Sequence, residues 1–199
     1  MKVIVVGASG TLGRAVVQEL RTDHEVIEAD RKNESHPIDI CDDASVRALF
    51  DGVGKVDAII CAAGETYVGP LKDMTAEQFN QGLQSKLLGQ VRLSLIGQHY
   101  LNSGGSITLT TGIITDEPLR DCANVTSVDA AIEGFVRAAA MEVREWRINA
   151  VSPTVLTESL EKYAPYCPGF ESVPAARAAF AFRRSVDGIQ TGRVYRVWS

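Results

Sequence analysis

Apolar positions along this chain follow two alternating rhythms. Short runs rich in Val and Ile are separated by stretches where apolar residues recur every third or fourth position. "KVIVV" at 2–6 is a run of the kind a strand buried on both faces needs. In "TLGRAVVQELR" at 11–21, Leu12, Ala15, Val16 and Leu20 share one helical face. Strands follow at 25–29, 36–40 ("HPIDI"), 56–64, 105–112, 147–153 and 192–198. Helices are predicted at 42–50, opened by Asp42 or Asp43 as cap, at 124–143, and at 174–186 with Pro174 in its first turn. The segment 74–101 reads as one long helix with Thr75 as N-cap. Gly82, Gly89 and Gly97 fall inside it, and each is costly there unless something packs closely.

Strands alternating with helices from end to end predict an α/β fold, a single doubly wound Rossmann-type domain over residues 1–199. The expected parallel sheet has about seven strands in the order 3-2-1-4-5-6-7, with helices on both faces.

Composition narrows what such a domain does. The net charge is -5 with no run of like charges, which argues against nucleic acid or an anionic membrane surface as partner. Four cysteines at 41, 61, 122 and 167 match no metal-binding spacing, and there are three His, so no metal site is expected. They read as reduced thiols in a cytoplasmic protein. The apolar run before Gly7 is too short for a signal segment or a membrane span.

The strongest local signal is "VIVVGASGTLGRAVV". Gly7, Gly10 and Gly13 stand between a strand and a helix, where the chain must turn sharply and its backbone must approach a pyrophosphate. Gly7, Ser9, Gly10, Thr11, Leu12 and Gly13 are therefore the expected contacts of a dinucleotide, NAD or NADP. Asp30 ends the second strand, where a carboxylate accepts bonds from ribose hydroxyls and favours NAD. Arg31 beside it can attract a 2′-phosphate and keeps NADP open.

With these residues in place, the chain resembles the short-chain dehydrogenase/reductase family from Val3 to Val197. "GASGTLG" is similar to its glycine-rich loop, in the spacing of its extended and atypical members. Asp39–Ile40 resembles the pair that meets the adenine amino group. "CAAG", Cys61, Ala62, Ala63 and Gly64, resembles the family's NNAG under the cofactor. "RINAVSPTVLTE", with Pro153, resembles its "RVNAVSPG…T" stretch, with Thr154 where Gly is usual. The resemblance implies hydride transfer between NAD(P)H and a small carbonyl or alcohol. It also implies a homodimer or homotetramer formed through the long helices 75–101 and 124–144.

The catalytic residues of that family are all altered. The resemblance puts Val125 at its tyrosine, Asp129 at its lysine, Thr111 or Gly112 at its serine, and Lys86 at its asparagine. In the family fold these positions line one pocket, which implies that Lys86 fills the vacated space and pairs with Asp129. Lys86, Thr111 and Asp129 are the expected catalytic residues, with Lys86 also a candidate ribose contact. Thr110, Tyr67, Tyr163 and Tyr166 are further donors, whereas His99 falls away from the pocket and Cys61 reads as packing. The alternative is a non-catalytic NAD(P)-binding protein on the same frame, a redox sensor or partner subunit. The compact loop 154–173 implies a small or open substrate pocket.

Overall fold

The computed structural model describes residues 1–199. Six parallel strands form one sheet: β1 (Lys2–Val6), β2 (Glu25–Ala29), β3 (Val56–Cys61), β4 (Leu101–Thr110), β5 (Arg147–Pro153) and β6 (Val194–Val197). Their order is β2-β1-β3-β4-β5-β6. On one side lie α1 (Thr11–Leu20) and the later α7 (Ala175–Asp187); on the other lie α2 (Asp43–Val53), α4 (Leu88–Gly97) and α5 (Ala123–Glu142). Successive residues of β1 serve opposite faces: Val3 and Val5 pack toward α1 and α7, Ile4 and Val6 toward the other layer. That is why the run is continuously apolar rather than alternating. Each fully buried Ile or Leu is worth about 1.5–3 kcal/mol relative to exposure.

The sheet has six strands, not seven. The stretch 36–40 forms only an isolated bridge, Pro37 to Asp30, beside one bond from the Ile38 N–H to the Asp30 carbonyl at 3.1 Å. Pro37 has no N–H to carry a ladder further. The apolar signal was genuine, since Ile38 and Ile40 are both buried, but they fill the core from a loop. With that element removed, the remaining order is the one expected.

Helix boundaries follow local chemistry. Asp42 rather than Asp43 caps α2, accepting from the Ala44 N–H. Pro174 stands just outside α7, as its N-cap. The long helix opens at α3 (Ala76–Gly82) with a capping box between Thr75 and Gln78. It then runs through a π-helical turn at Leu83–Leu87 into α4 and ends in a 3₁₀ turn, so that β4 already begins at Leu101. Its glycines face inward rather than toward another subunit. Gly82 lies against Asn124, Gly89 against Ile40, and Gly97 against Ile59 and Phe50. A short α6 (Leu160–Tyr163) lies in the loop after β5.

Candidate active site

Every residue singled out for cofactor or chemistry lies at or beyond the carboxyl ends of the strands, or on the helices that border them, which is where open parallel sheets bind ligands. Gly7 leaves β1 with φ +85°, and its N–H donates to the Ala29 carbonyl at 2.8 Å. A Cβ on Gly7 would stand 2.7 Å from the Ala62 carbonyl oxygen, and one on Gly13 would overlap the Gly7 carbonyl. The loop is thus pressed onto both α1 and the end of β3, at a closeness only glycine permits. Gly10 caps α1 in extended conformation without any side-chain cap. The N–H groups of Thr11, Leu12 and Gly13 then have no intrahelical acceptor, at the positive end of the helix. That uncapped cradle fits a pyrophosphate. Ser9 is exposed at its lip, and its carbonyl accepts from the Arg14 guanidinium.

The rim of this groove carries the adenosine candidates. Asp30 accepts the Lys32 N–H through Oδ1 at 2.8 Å. Arg31 is exposed and reaches Glu65 at 3.3 Å, so the two side chains span from the end of β2 to the loop after β3. Asp39 Oδ1 accepts the Cys41 N–H at 2.9 Å. The Ile40 side chain is buried against Gly89 and serves the core.

Beyond the groove, the loop after β3 meets the π turn. Cys61 is fully buried, and burial pushes its thiol up to about 12, which makes it packing rather than a nucleophile. Ala62 and Ala63 follow; Gly64 turns with φ +124° and leaves no room for a Cβ, which would sit 2.7 Å from the Lys86 Cα. Lys86 is held on the π turn, and its Nζ approaches Asp129 Oδ1 at 2.7 Å. The approach is off the direction of a regular hydrogen bond. The side chains are 15% and 1% exposed, so this is a nearly dry pair. Burial raises the Asp129 carboxyl above the ordinary range, and the Lys86 ammonium opposes it. The other carboxylate oxygen lies beside Gly112, whose Cβ would meet it at 3.4 Å. Pro153 ends β5, buried, with its carbonyl on the same side of Gly112.

Thr111 stands apart from that pair. It is buried, and its hydroxyl donates to Glu133 Oε1 at 3.3 Å. Glu133 is not among the residues that the sequence singles out. It lies one turn beyond Asp129 on the same buried side of α5. The spacing of four residues was the available signal. Burial raises its carboxyl, with Asp116 adding to the effect, while Thr111 and Arg137 oppose it. Asn124 is a second residue the sequence reading passed over. It is fully buried, accepts the Tyr67 N–H at 2.9 Å and donates to the Phe79 carbonyl at 2.6 Å. It ties α3 and the loop after β3 to the start of α5.

The other candidate donors are engaged elsewhere or far away. Thr110 donates to the Cys61 carbonyl at 2.6 Å. The Tyr67 ring folds back over Gly69. Tyr163 and Tyr166 are more than a third exposed, and Lys162 lies over the Tyr163 ring. His99 precedes β4 and so lies at the amino ends of the strands, opposite the groove. What remains at the inner end of the groove is one cation, Lys86, backed by one buried acid.

The sequence profile described as Enoyl-(Acyl carrier protein) reductase matches residues 2–193. The short-chain dehydrogenase/reductase ucsE from an Acremonium species is 32% identical over 126 residues, covering 59% of this chain and 48% of that protein. The chain belongs to the short-chain dehydrogenase/reductase family. It spans about half the length of the curated relatives it matches. Among solved structures, the protein lin1944 from Listeria innocua is 44% identical, with a TM-score of 0.97 and 100% of both chains covered. A small-chain dehydrogenase solved in complex with NADPH is 26% identical, with a TM-score of 0.90, covering 99% of this chain and 96% of the other. No helix of this family member is long and apolar enough to cross a membrane.

Proposed function

We propose that this chain is an NAD(P)-dependent oxidoreductase acting on a small carbonyl or alcohol, through a site rearranged around Lys86 and Asp129. One observation carries this reading: the uncapped glycine cradle and a nearly dry Lys86–Asp129 pair lie along the same strand ends. The NADPH complex of a structural relative supports the cofactor. The nicotinamide, when bound, supplies or accepts the hydride. The ammonium of Lys86 is the proton donor to the substrate oxygen, and returns as its acceptor in the reverse direction. Asp129 keeps that nitrogen in place and charged. Glu133 anchors the Thr111 hydroxyl and with it the end of β4. Among the two cofactors we place NADPH first, because Asp30 already accepts a backbone N–H while Arg31 is exposed at the rim.

A second reading rests on its own observation. Lys86 is already paired with Asp129, and Thr111 with Glu133, so the groups at the end of the groove are engaged with one another. On that reading the chain binds the dinucleotide without turnover. Titration with NADPH and NADH, followed by a panel of small aldehydes and ketones, separates the two. Binding with oxidation of NADPH supports the oxidoreductase; binding without it supports the silent binder; absence of binding removes both.

The same reading makes the chain a cytoplasmic homodimer or homotetramer. Leu88 and Leu95 are 39% and 53% exposed, one heptad apart on α4, and Met141 on α5 is 81% exposed. Light scattering of the wild type and of Leu95→Glu tests this, a monomeric variant being expected.

A further inference from the structure

At the far edge of the sheet, α7 and β6 border an open cleft of about 370 Å³ whose lining carries four arginines and no Asp or Glu. Arg177 and Arg184 come from α7; Arg193 and Arg196 come from the strand side. The chain as a whole is acidic, with 20 Lys and Arg against 25 Asp and Glu. Two of the four guanidiniums are fixed against aromatic rings: Arg184 over Tyr195, Arg196 over Trp198. Arg196 also pairs with Asp116 at 3.0 Å. The side chains of Arg177 and Arg193 have no ion pair and no hydrogen bond.

Charges on an edge strand often guard it against pairing with another sheet. That duty explains Arg193 and Arg196 but not Arg177 and Arg184, which project into the same cleft from the helix. Of the four, Arg196 alone has a carboxylate partner. The other three like charges repel, and a multiply charged anion removes that cost. Guanidinium groups match phosphate oxygens two at a time. Phe180, 54% exposed, gives the cleft an apolar floor beside the arginines. The volume is of the size that small-molecule sites occupy.

We propose that this cleft binds an organic polyphosphate of nucleotide size, its phosphates on the arginines and its ring on Phe180. The site is separate from the glycine loop. Three strands, β3, β4 and β5, stand between β1 and β6, a span of about 19 Å at about 4.8 Å per strand.

The test is calorimetric titration with ADP and, separately, inorganic pyrophosphate at low ionic strength. It compares the wild type, Arg177→Ser/Arg193→Ser, and the charge-matched control Arg120→Ser/Arg144→Ser. Thermal melts establish that all three are folded, which is expected because the replaced side chains are exposed. The expected result is two ADP sites in the wild type and the control. One of these should weaken about tenfold or more in Arg177→Ser/Arg193→Ser, with pyrophosphate affinity falling in parallel. Phe180→Ala should weaken ADP and leave pyrophosphate unchanged. Equal binding in all variants would assign the anion to the glycine loop alone and overturn the proposal. A changed oligomeric state in Arg177→Ser/Arg193→Ser with unchanged ADP binding would also overturn it, and would make the cleft a contact between copies.

Discussion

Gly64 and Lys86 are in backbone contact: a Cβ on the glycine would stand 2.7 Å from the lysine Cα, and the glycine φ is +124°. The loop after β3 therefore fixes where the lysine stem lies. Gly64→Ala adds a clash to a backbone conformation that L side chains rarely adopt. We expect a loss of about 1–3 kcal/mol from the conformation alone, and more from the contact. Chemical denaturation measures it, and an unchanged midpoint would show that the loop and the π turn are not pressed together.

Removing the lysine charge exposes the cost of the buried acid. Lys86→Met leaves Asp129 without a cation in a dry position, and breaking such a pair costs about 3–5 kcal/mol. The folded carboxyl is then raised further above its unfolded value. The unfolded chain loses this proton at lower pH, so stability is full in acid and declines as pH climbs through the folded value. The variant should be closer to the wild type near pH 5 than near pH 8. Melting temperatures across that interval decide, and a deficit independent of pH would argue that Asp129 is solvated.

Glu133 gives the same sign by a different route. Burial raises its carboxyl, so the wild type loses part of its stability between acid and mildly alkaline pH. Glu133→Gln removes that loss while keeping an acceptor for Thr111. The fall in melting temperature from about pH 5 to about pH 8 should be smaller in the variant than in the wild type. A steeper fall would place the Glu133 carboxylate in a stabilising ion pair with Arg137.

The fold and the tight glycine-rich loop were legible because each rests on local rules. Val3 to Val6 must be buried on both faces, and Gly7, Gly10 and Gly13 must admit close backbone contacts; both demands show in the residue types. The pairing of Lys86 with Asp129 was legible only through the resemblance, since it joins two helices 43 positions apart (129 − 86). Glu133 was passed over because a charged residue in a helix is ordinarily a solvated one. The seventh strand was expected on the strength of Ile38 and Ile40, whose burial is real but whose backbone makes no ladder. The π turn left no mark on the pattern, because its residues keep a helical rhythm on both sides.

The proposed preference for NADPH rests on the rim pair. Arg31 is shared with Glu65 across 3.3 Å, both exposed, so the pair is weak and either partner is free to move. Glu65→Gln should raise affinity for NADPH relative to NADH, and Arg31→Ala should lower it by about tenfold, or about 1.4 kcal/mol. Fluorescence titration with both nucleotides reads the ratio, and an Arg31→Ala ratio equal to the wild type would leave discrimination to Asp30.

The π turn at Leu83–Leu87 has a genetic side. Such a turn amounts to an α-helix carrying one surplus residue. Each residue rotates a helix by about 100°, so deleting a single codon here would leave α3 and α4 in place only by swinging Lys86 off Asp129. The pair is therefore coupled to the length of this segment as much as to its chemistry. Insertion or loss of one residue is the shortest mutational step by which related chains would gain or abandon it.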